Sequence, residues 1–227
     1  MRIVILTDSL GRPRPDIENN EKTCYEDVYG YKLKTYFGSQ HEIELLYIES
    51  LDTDDAIFWS QRMVAFREPD LVIYHLGVND CVPRLFKKGG KSIIFNPIFR
   101  KITFDFFLRF MSFFRYFFTK LRRISYVSES DFLTNFKTMI NENKKYNSNV
   151  KFIAVGIAKS QLHNKRSFSY NNNIDKYNKI LEAIFGDFYI DIEPIVDEFG
   201  LIFDGVHLSK NAHAKLFEVI KRKIEDY

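Results

Sequence analysis

Only two of the 227 residues are cysteine, Cys24 and Cys81, and they form no C-x-x-C pair. That excludes a disulfide framework and a zinc-ribbon spacing, and makes a reducing, cytoplasmic compartment the simpler assignment. Six prolines and ten glycines are too few for a collagenous or low-complexity chain. No window reaches the roughly 18 uncharged apolar residues of a membrane-spanning helix. Charges interrupt even the Phe-rich stretch between residues 95 and 118. The opening apolar run, Ile3 to Leu6, is cut off by Thr7-Asp8 and is too short for a secretory signal core. Charge of one sign is lacking as well: 33 Lys and Arg against 30 Asp and Glu give a formal net charge of +3. Such a balance leaves no polyanion footprint, so nucleic acid is not expected as a partner.

What the chain does have is the composition of a folded protein, 45% hydrophobic and 28% charged. Its length, about 1.5 typical domains, fits one α/β domain with an insertion or two small domains; one domain over residues 1–227 is expected. Short apolar runs recur at Arg2 to Leu6, Glu44 to Ile48, Leu71 to His75, Phe152 to Ile157 and Phe188 to Ile190. Longer segments of helical spacing separate them, near Lys22 to Phe37, Asp54 to Phe66, Ser128 to Asn143, Asn172 to Phe185 and Ser209 to Glu225. This alternation predicts βαβ units and a mostly parallel sheet. Leu71 to Tyr74 and Phe152 to Val155 are continuous apolar runs, the pattern of central strands covered on both faces. Ser128 and Ser209 stand where helix N-caps belong.

Residues 82–127 break the rhythm immediately after the third strand and are the expected insertion. Within them Phe106, Phe107, Phe110, Phe113, Phe114, Phe117, Phe118 and Leu121 trace one stripe at helical spacing. The first reading is a helical cap whose stripe packs on the apolar core. A helix lying on a membrane surface is the second, and a protein-partner or dimer surface the third, both through the 95–123 segment.

Three short segments fall where α/β sheets build their sites. Thr7-Asp8-Ser9-Leu10 follows the first strand and exposes a serine at a sharp turn. Gly77-Val78-Asn79-Asp80 follows the third strand, and an amide there is a good oxyanion donor. Asp204-Gly205-Val206-His207 precedes the last helix, where a carboxylate three residues ahead of an imidazole can orient it as a general base. Singly, each has an ordinary explanation as an N-cap, an Asx-turn or a solvated loop.

Together, in this order over nearly the whole chain, the segments resemble the blocks of the SGNH hydrolases, also called the GDSL esterase family. The resemblance and the strand pattern imply a flavodoxin-like three-layer α/β/α sandwich, with a mostly parallel five-stranded sheet and a Phe-rich helical insertion. The resemblance also implies a serine esterase, with Ser9 as nucleophile, His207 as general base and acid, and Asp204 fixing the imidazole. The oxyanion hole would comprise the Ser9 N–H, the Asn79 amide and the backbone at Leu51, with Asp8, Gly77 and Asp80 in supporting substrate-binding positions. No cofactor or metal is implied. A small acyl group, acetyl on a carbohydrate, is the expected substrate; a lipid ester and a catalytically silent docking domain are the alternatives.

Two positions depart from the family pattern. Thr7 stands where a glycine is usual, and a β-branched residue there extends the strand by one position. Leu51 stands in the place of a glycine N–H donor; a positive φ there would strain it, and its side chain would narrow the acyl pocket toward acetyl. Other features carry less. Gly89-Gly90-Lys91-Ser92 lacks the first glycine of a phosphate loop, because Leu85 occupies that position. His41, His75 and His163 have no metal-ligand spacing; His75 reads as a strand-end core residue and His213 as a packing residue. Arg12-Pro13-Arg14-Pro15 reads as a solvated turn, with contact to an anionic substrate as the alternative.

Overall fold

Alternation inside the strands decides the layers. In β1 (Arg2–Thr7), Ile3 and Ile5 point to one side and Val4 and Leu6 to the other. All four are fully buried, which requires cover on both faces. The structure, a computed structural model, describes residues 1–14, 22–88 and 105–226. Pro15, the Gly89 to Ser92 stretch and residues 95–104 of the Phe-rich segment lie outside the described residues. Strands β2 (Glu42–Tyr47), β3 (Leu71–His75), β4 (Lys151–Val155) and β5 (Tyr189–Ile190) join β1 in a sheet of order β2-β1-β3-β4-β5. Every pairing is parallel, with Ile3 beside Ile43 and Leu71, and Ile73 beside Ile153. This is the flavodoxin-like order, and its switch point lies between β1 and β3.

The helices in chain order are α1 (Tyr29–Phe37), α2 (Thr53–Trp59), the single turn α3 (Val78–Cys81), α4 (Asp105–Phe113) and α5 (Arg115–Arg122). They continue as α6 (Glu129–Tyr146), α7 (Gln161–Arg166), α8 (Tyr170–Phe185), α9 (Glu193–Phe199) and α10 (Lys210–Glu225). On one face α1, α9 and α10 cover Ile3, Ile5, Leu71, Ile73, Ile153 and Val155. On the other, α2, α6 and α8 cover Val4, Leu6, Val72, Tyr74 and Ala154, with Phe132, Phe136 and Phe185 at the centre. Ser128 and Ser209 cap α6 and α10 as expected, accepting from the Asp131 and Ala212 N–H groups.

Several boundaries differ from the sequence reading. β2 begins at Glu42, because Glu42 N–H bonds the Met1 carbonyl and starts the ladder early. The segment expected as helix from Lys22 instead forms a short turn at Tyr25–Asp27, and the extended backbone of Val28 delays α1 to Tyr29. α2 gives way at Ser60 to a wider turn and is stopped by Glu68 in the left-handed region. α7 and α9 were not expected, each being too short to show a clear period. The Phe stripe is not one helix: α4 and α5 meet at Phe114, whose ψ of 18° interrupts the helical backbone.

Candidate active site

Thr7 continues β1, and its hydroxyl ties down the turn that follows. It donates to the His75 carbonyl at 3.0 Å and accepts the Gly11 N–H at 3.1 Å. Gly11 is needed for this: a Cβ there would lie 2.7 Å from Thr7 Oγ1 and Cγ2. Asp8 then caps the turn Ser9–Gly11, its Oδ1 accepting the Leu10 N–H at 2.8 Å. Ser9 is thereby presented, half-buried, at the carboxyl end of β1 beside the switch point.

The second segment leaves β3 through Gly77, at φ +125°, where a Cβ would strike Ile157 Cδ1 at 2.6 Å. The bend starts α3 and places Asn79 across from the Ser9 turn. Asn79 Nδ2 donates to Asp8 Oδ2 at 3.3 Å and to the Leu51 carbonyl at 3.2 Å. Its Oδ1 accepts from Arg84 Nη2 at 3.1 Å, which fixes which end of the amide faces Ser9's neighbour. The Arg84 guanidinium is in turn stacked 4.3 Å over the Tyr126 ring. The loop after β2 thus reaches the site through the Leu51 carbonyl. Leu51 has no positive φ; Ser50 takes that strain instead, at φ +58°. The Leu51 side chain is buried in the core cluster under α2, so it has almost no surface with which to narrow an acyl pocket.

The third segment is a self-contained turn. Asp204 Oδ1 accepts the N–H groups of Val206 at 2.9 Å and His207 at 3.1 Å, while Oδ2 meets His207 Nδ1 at 2.6 Å. Gly205, at φ +69°, closes the turn. These bonds explain the three-residue spacing: one carboxylate organises both the backbone and the imidazole. Burial pushes the Asp204 carboxyl up, but the bonds from the His207 ring and the two N–H groups outweigh it and hold it at about 2. With Nδ1–H donated to a carboxylate, Nε2 is the acceptor that can take a proton. His163 supports the loop from outside, its Nε2 lying 2.9 Å from the Asp204 carbonyl oxygen.

Arg14 does not sit in a solvated turn. Its Nη1 lies 3.4 Å from His207 Nδ1 and 3.2 Å from Nε2. Its guanidinium therefore lies against the imidazole that Asp204 orients. Among the described residues the Ser9 hydroxyl makes no hydrogen bond to His207.

Asp8 and Asp80, expected in substrate-binding positions, have no exposed surface, and their carboxylates are engaged by loops. Asp80 Oδ1 accepts the Thr53 N–H at 2.8 Å and its hydroxyl at 2.5 Å, joining the loop after β2 to α3. Burial raises both carboxyls, Asp8 to about 8 and Asp80 to about 7, with hydrogen bonds only partly opposing it. His75 and His213 are core residues around Tyr29, which stacks on His213 and whose hydroxyl lies 3.3 Å from His75 Nδ1. Among the described residues no three His, Cys, Asp or Glu side chains converge on a metal-sized site. Sequence reading passed over Arg84, weighed His163 only as a metal ligand and set Arg14 aside, because none belongs to a spaced motif.

Comparison with solved structures places the whole chain on a known architecture. A lipase/acylhydrolase from Enterococcus faecalis aligns over 99% of this chain and 95% of its own, with a TM-score of 0.63 at 18% identity. An acetylxylan esterase from Geobacillus stearothermophilus, solved as serine, aspartate and histidine catalytic mutants, aligns over 98% of this chain and 93% of its own. Its serine mutant has a TM-score of 0.62 at 14% identity. At such identities the likeness establishes the fold. No curated protein sequence matches the chain. The family model for GDSL-like lipases and acylhydrolases matches residues 26–220, most of the sequence. The chain is an ester-bond hydrolase of the GDSL-like lipase/acylhydrolase family.

Proposed function

We propose that the chain is a serine esterase that removes a small acyl group, acetyl, from a carbohydrate ester, with Ser9, His207 and Asp204 as its triad. The observation that carries this reading is the 2.6 Å Asp204–His207 contact. The acetylxylan esterase supports it: the aspartate and histidine of its catalytic mutants are three positions apart, as Asp204 and His207 are. In this mechanism Ser9 Oγ attacks the ester carbonyl as His207 Nε2 takes its proton. The oxyanion is held by the Ser9 N–H and by Asn79 Nδ2, which exchanges its resting partners Asp8 and Leu51 for the substrate. His207 then returns the proton to the leaving alcohol, and a water activated by the same nitrogen hydrolyses acyl-Ser9. A sugar hydroxyl in place of that water would make the outcome acyl transfer.

The triad is tested with p-nitrophenyl acetate. Ser9→Ala and His207→Ala should each abolish hydrolysis, and Asp204→Asn should reduce kcat by about 10⁴-fold. Equal rates in wild type and all three variants would refute the triad. Acetylated xylo-oligosaccharide against a free acetylated alcohol tests the carbohydrate. A second reading, a lipid-borne ester, is favoured by the exposed phenylalanines of α4 and α5; faster turnover of octanoyl than of acetyl esters would select it.

A further inference from the structure

Helices α4 and α5 are inside out. A surface helix normally packs its apolar stripe on the core and turns polar residues to water. Here the side chains that fasten the pair to the body are largely polar. Thr119, 1% exposed, accepts the Phe168 N–H at 2.9 Å. Arg115 donates to Ser167 Oγ at 2.8 Å and to the Pro83 carbonyl at 3.0 Å, and Arg122 donates to the Leu85 carbonyl. Met111 is buried with them. Most of the described stripe faces outward: Phe113 is 83% exposed, Phe106 81%, Leu121 70% and Phe117 58%, while Phe118 is half-buried. Phe114 packs on Phe110 at 4.8 Å and on Phe113 at 5.0 Å between ring centroids, so the rings form one ridge. The expected cap over the core is therefore corrected for the exposed side chains of the stripe, which point away from the protein. The physical reason is that the two arginines have carbonyl and hydroxyl partners, and the threonine an N–H partner, that the rings could not use.

Along the sequence, positive charge concentrates in the segment that carries the ridge. Residues 82–127 hold eleven Lys and Arg against one acidic residue, Asp105, a net +10; the other 181 residues hold 22 against 29, a net −7. Arg109, Lys120, Arg122 and Arg123 are exposed on the same two helices and their end, with Lys120 and Arg123 also 5.9 and 5.7 Å from the Phe168 ring centroid. We propose that this face docks on an anionic lipid bilayer, with the Phe ridge entering the boundary between headgroups and acyl chains and Arg109 and Lys120 meeting lipid phosphates. Aromatic rings favour that boundary, and basic residues beside them favour negatively charged leaflets. A second copy of the chain is the wrong occupant, because two faces of this charge repel. Among the described residues no helix is long and apolar enough to cross a membrane, so the contact proposed is with its surface. The proposal stands apart from the esterase reading, since it needs no catalysis.

The test is flotation of the full chain with vesicles of phosphatidylcholine alone or mixed with phosphatidylglycerol. Binding should be at least about tenfold stronger with the anionic vesicles and should weaken as salt rises. Phe113→Ser with Phe117→Ser should reduce that binding about tenfold or more, with melting temperature and p-nitrophenyl acetate hydrolysis unchanged. Arg109→Glu with Lys120→Glu should remove the preference for the anionic lipid. A tryptophan introduced by Phe113→Trp should shift its emission to the blue on anionic vesicles only. No flotation with anionic vesicles at low salt would overturn the proposal, as would flotation that the serine variants leave intact. A concentration-dependent dimer in light scattering, lost in the same variants, would also overturn it and assign the ridge to a second copy.

Discussion

Replacing Asn79 by Ala removes a donor that rests on Asp8 and Leu51 and, in the proposed mechanism, turns to the oxyanion. The expected result is a fall in kcat of about 10² to 10³-fold with little change in KM, read from initial rates on p-nitrophenyl acetate. Asp80 calls for a different measurement, because its carboxylate holds the Thr53 N–H and hydroxyl away from water. Asp80→Ala should lower stability by about 1–3 kcal/mol through the unpaired groups it leaves, seen as a lower urea midpoint. At this scale the Asp204–His207 contact was legible in the sequence, since a carboxylate and an imidazole three residues apart meet within one local turn. Arg14, Arg84 and His163 were not legible. Arg14 and His163 reach their partners over 193 and 41 positions, and Arg84 reaches Asn79 from an irregular loop, so no local spacing or periodicity announces these contacts.

Caps and apolar periods were the readable part of the elements. Ser209 is the clearest case: its hydroxyl accepts the Ala212 N–H at 3.1 Å and donates to the Phe199 carbonyl at 2.7 Å, linking α10 to the end of α9. Ser209→Ala should cost about 1–2 kcal/mol, measured by urea denaturation, while Thr at the same position should restore most of it. Strand β3 was placed to the residue because both of its faces are apolar and it has no choice of layer. The stripe on α4 and α5 shows the limit of the same method. Periodicity states which side chains share a face; whether that face turns inward depends on partners elsewhere in the chain, here Ser167, Phe168 and Pro83. The short α7 and α9 are held by neighbours more than by their own pattern.

For the molecule as a whole, four buried titratable groups set how stability follows pH. Burial holds His75 and His213 neutral, each lowered to about 3, with other histidines adding to the effect. The unfolded chain takes up those protons below about 6.5, so this pair makes stability fall as pH drops toward 3. Asp8 and Asp80 act in the opposite sense. The folded chain keeps their protons up to about 8 and 7, whereas the unfolded chain releases them above about 3.8, so stability falls as pH rises through that interval. Between roughly 4 and 6.5 the two pairs oppose each other and cancel. The expected profile of urea midpoints is a plateau there, declining on both sides, with Asp204 adding to the acid loss as its carboxyl is titrated toward about 2. Asp8→Asn, which keeps the acceptor for the Leu10 N–H, should flatten the alkaline decline. The same molecule-wide view bears on ancestry. The chain leaves the sheet domain and returns to it across one antiparallel bridge, Arg84 with Ile124, closed by the Arg84 N–H on the Ile124 carbonyl at 2.8 Å. A single insertion or deletion of genetic material between those two residues would therefore add or strip the aromatic arm whole. Strand register would survive such an event, because every strand pairing lies outside residues 84–124.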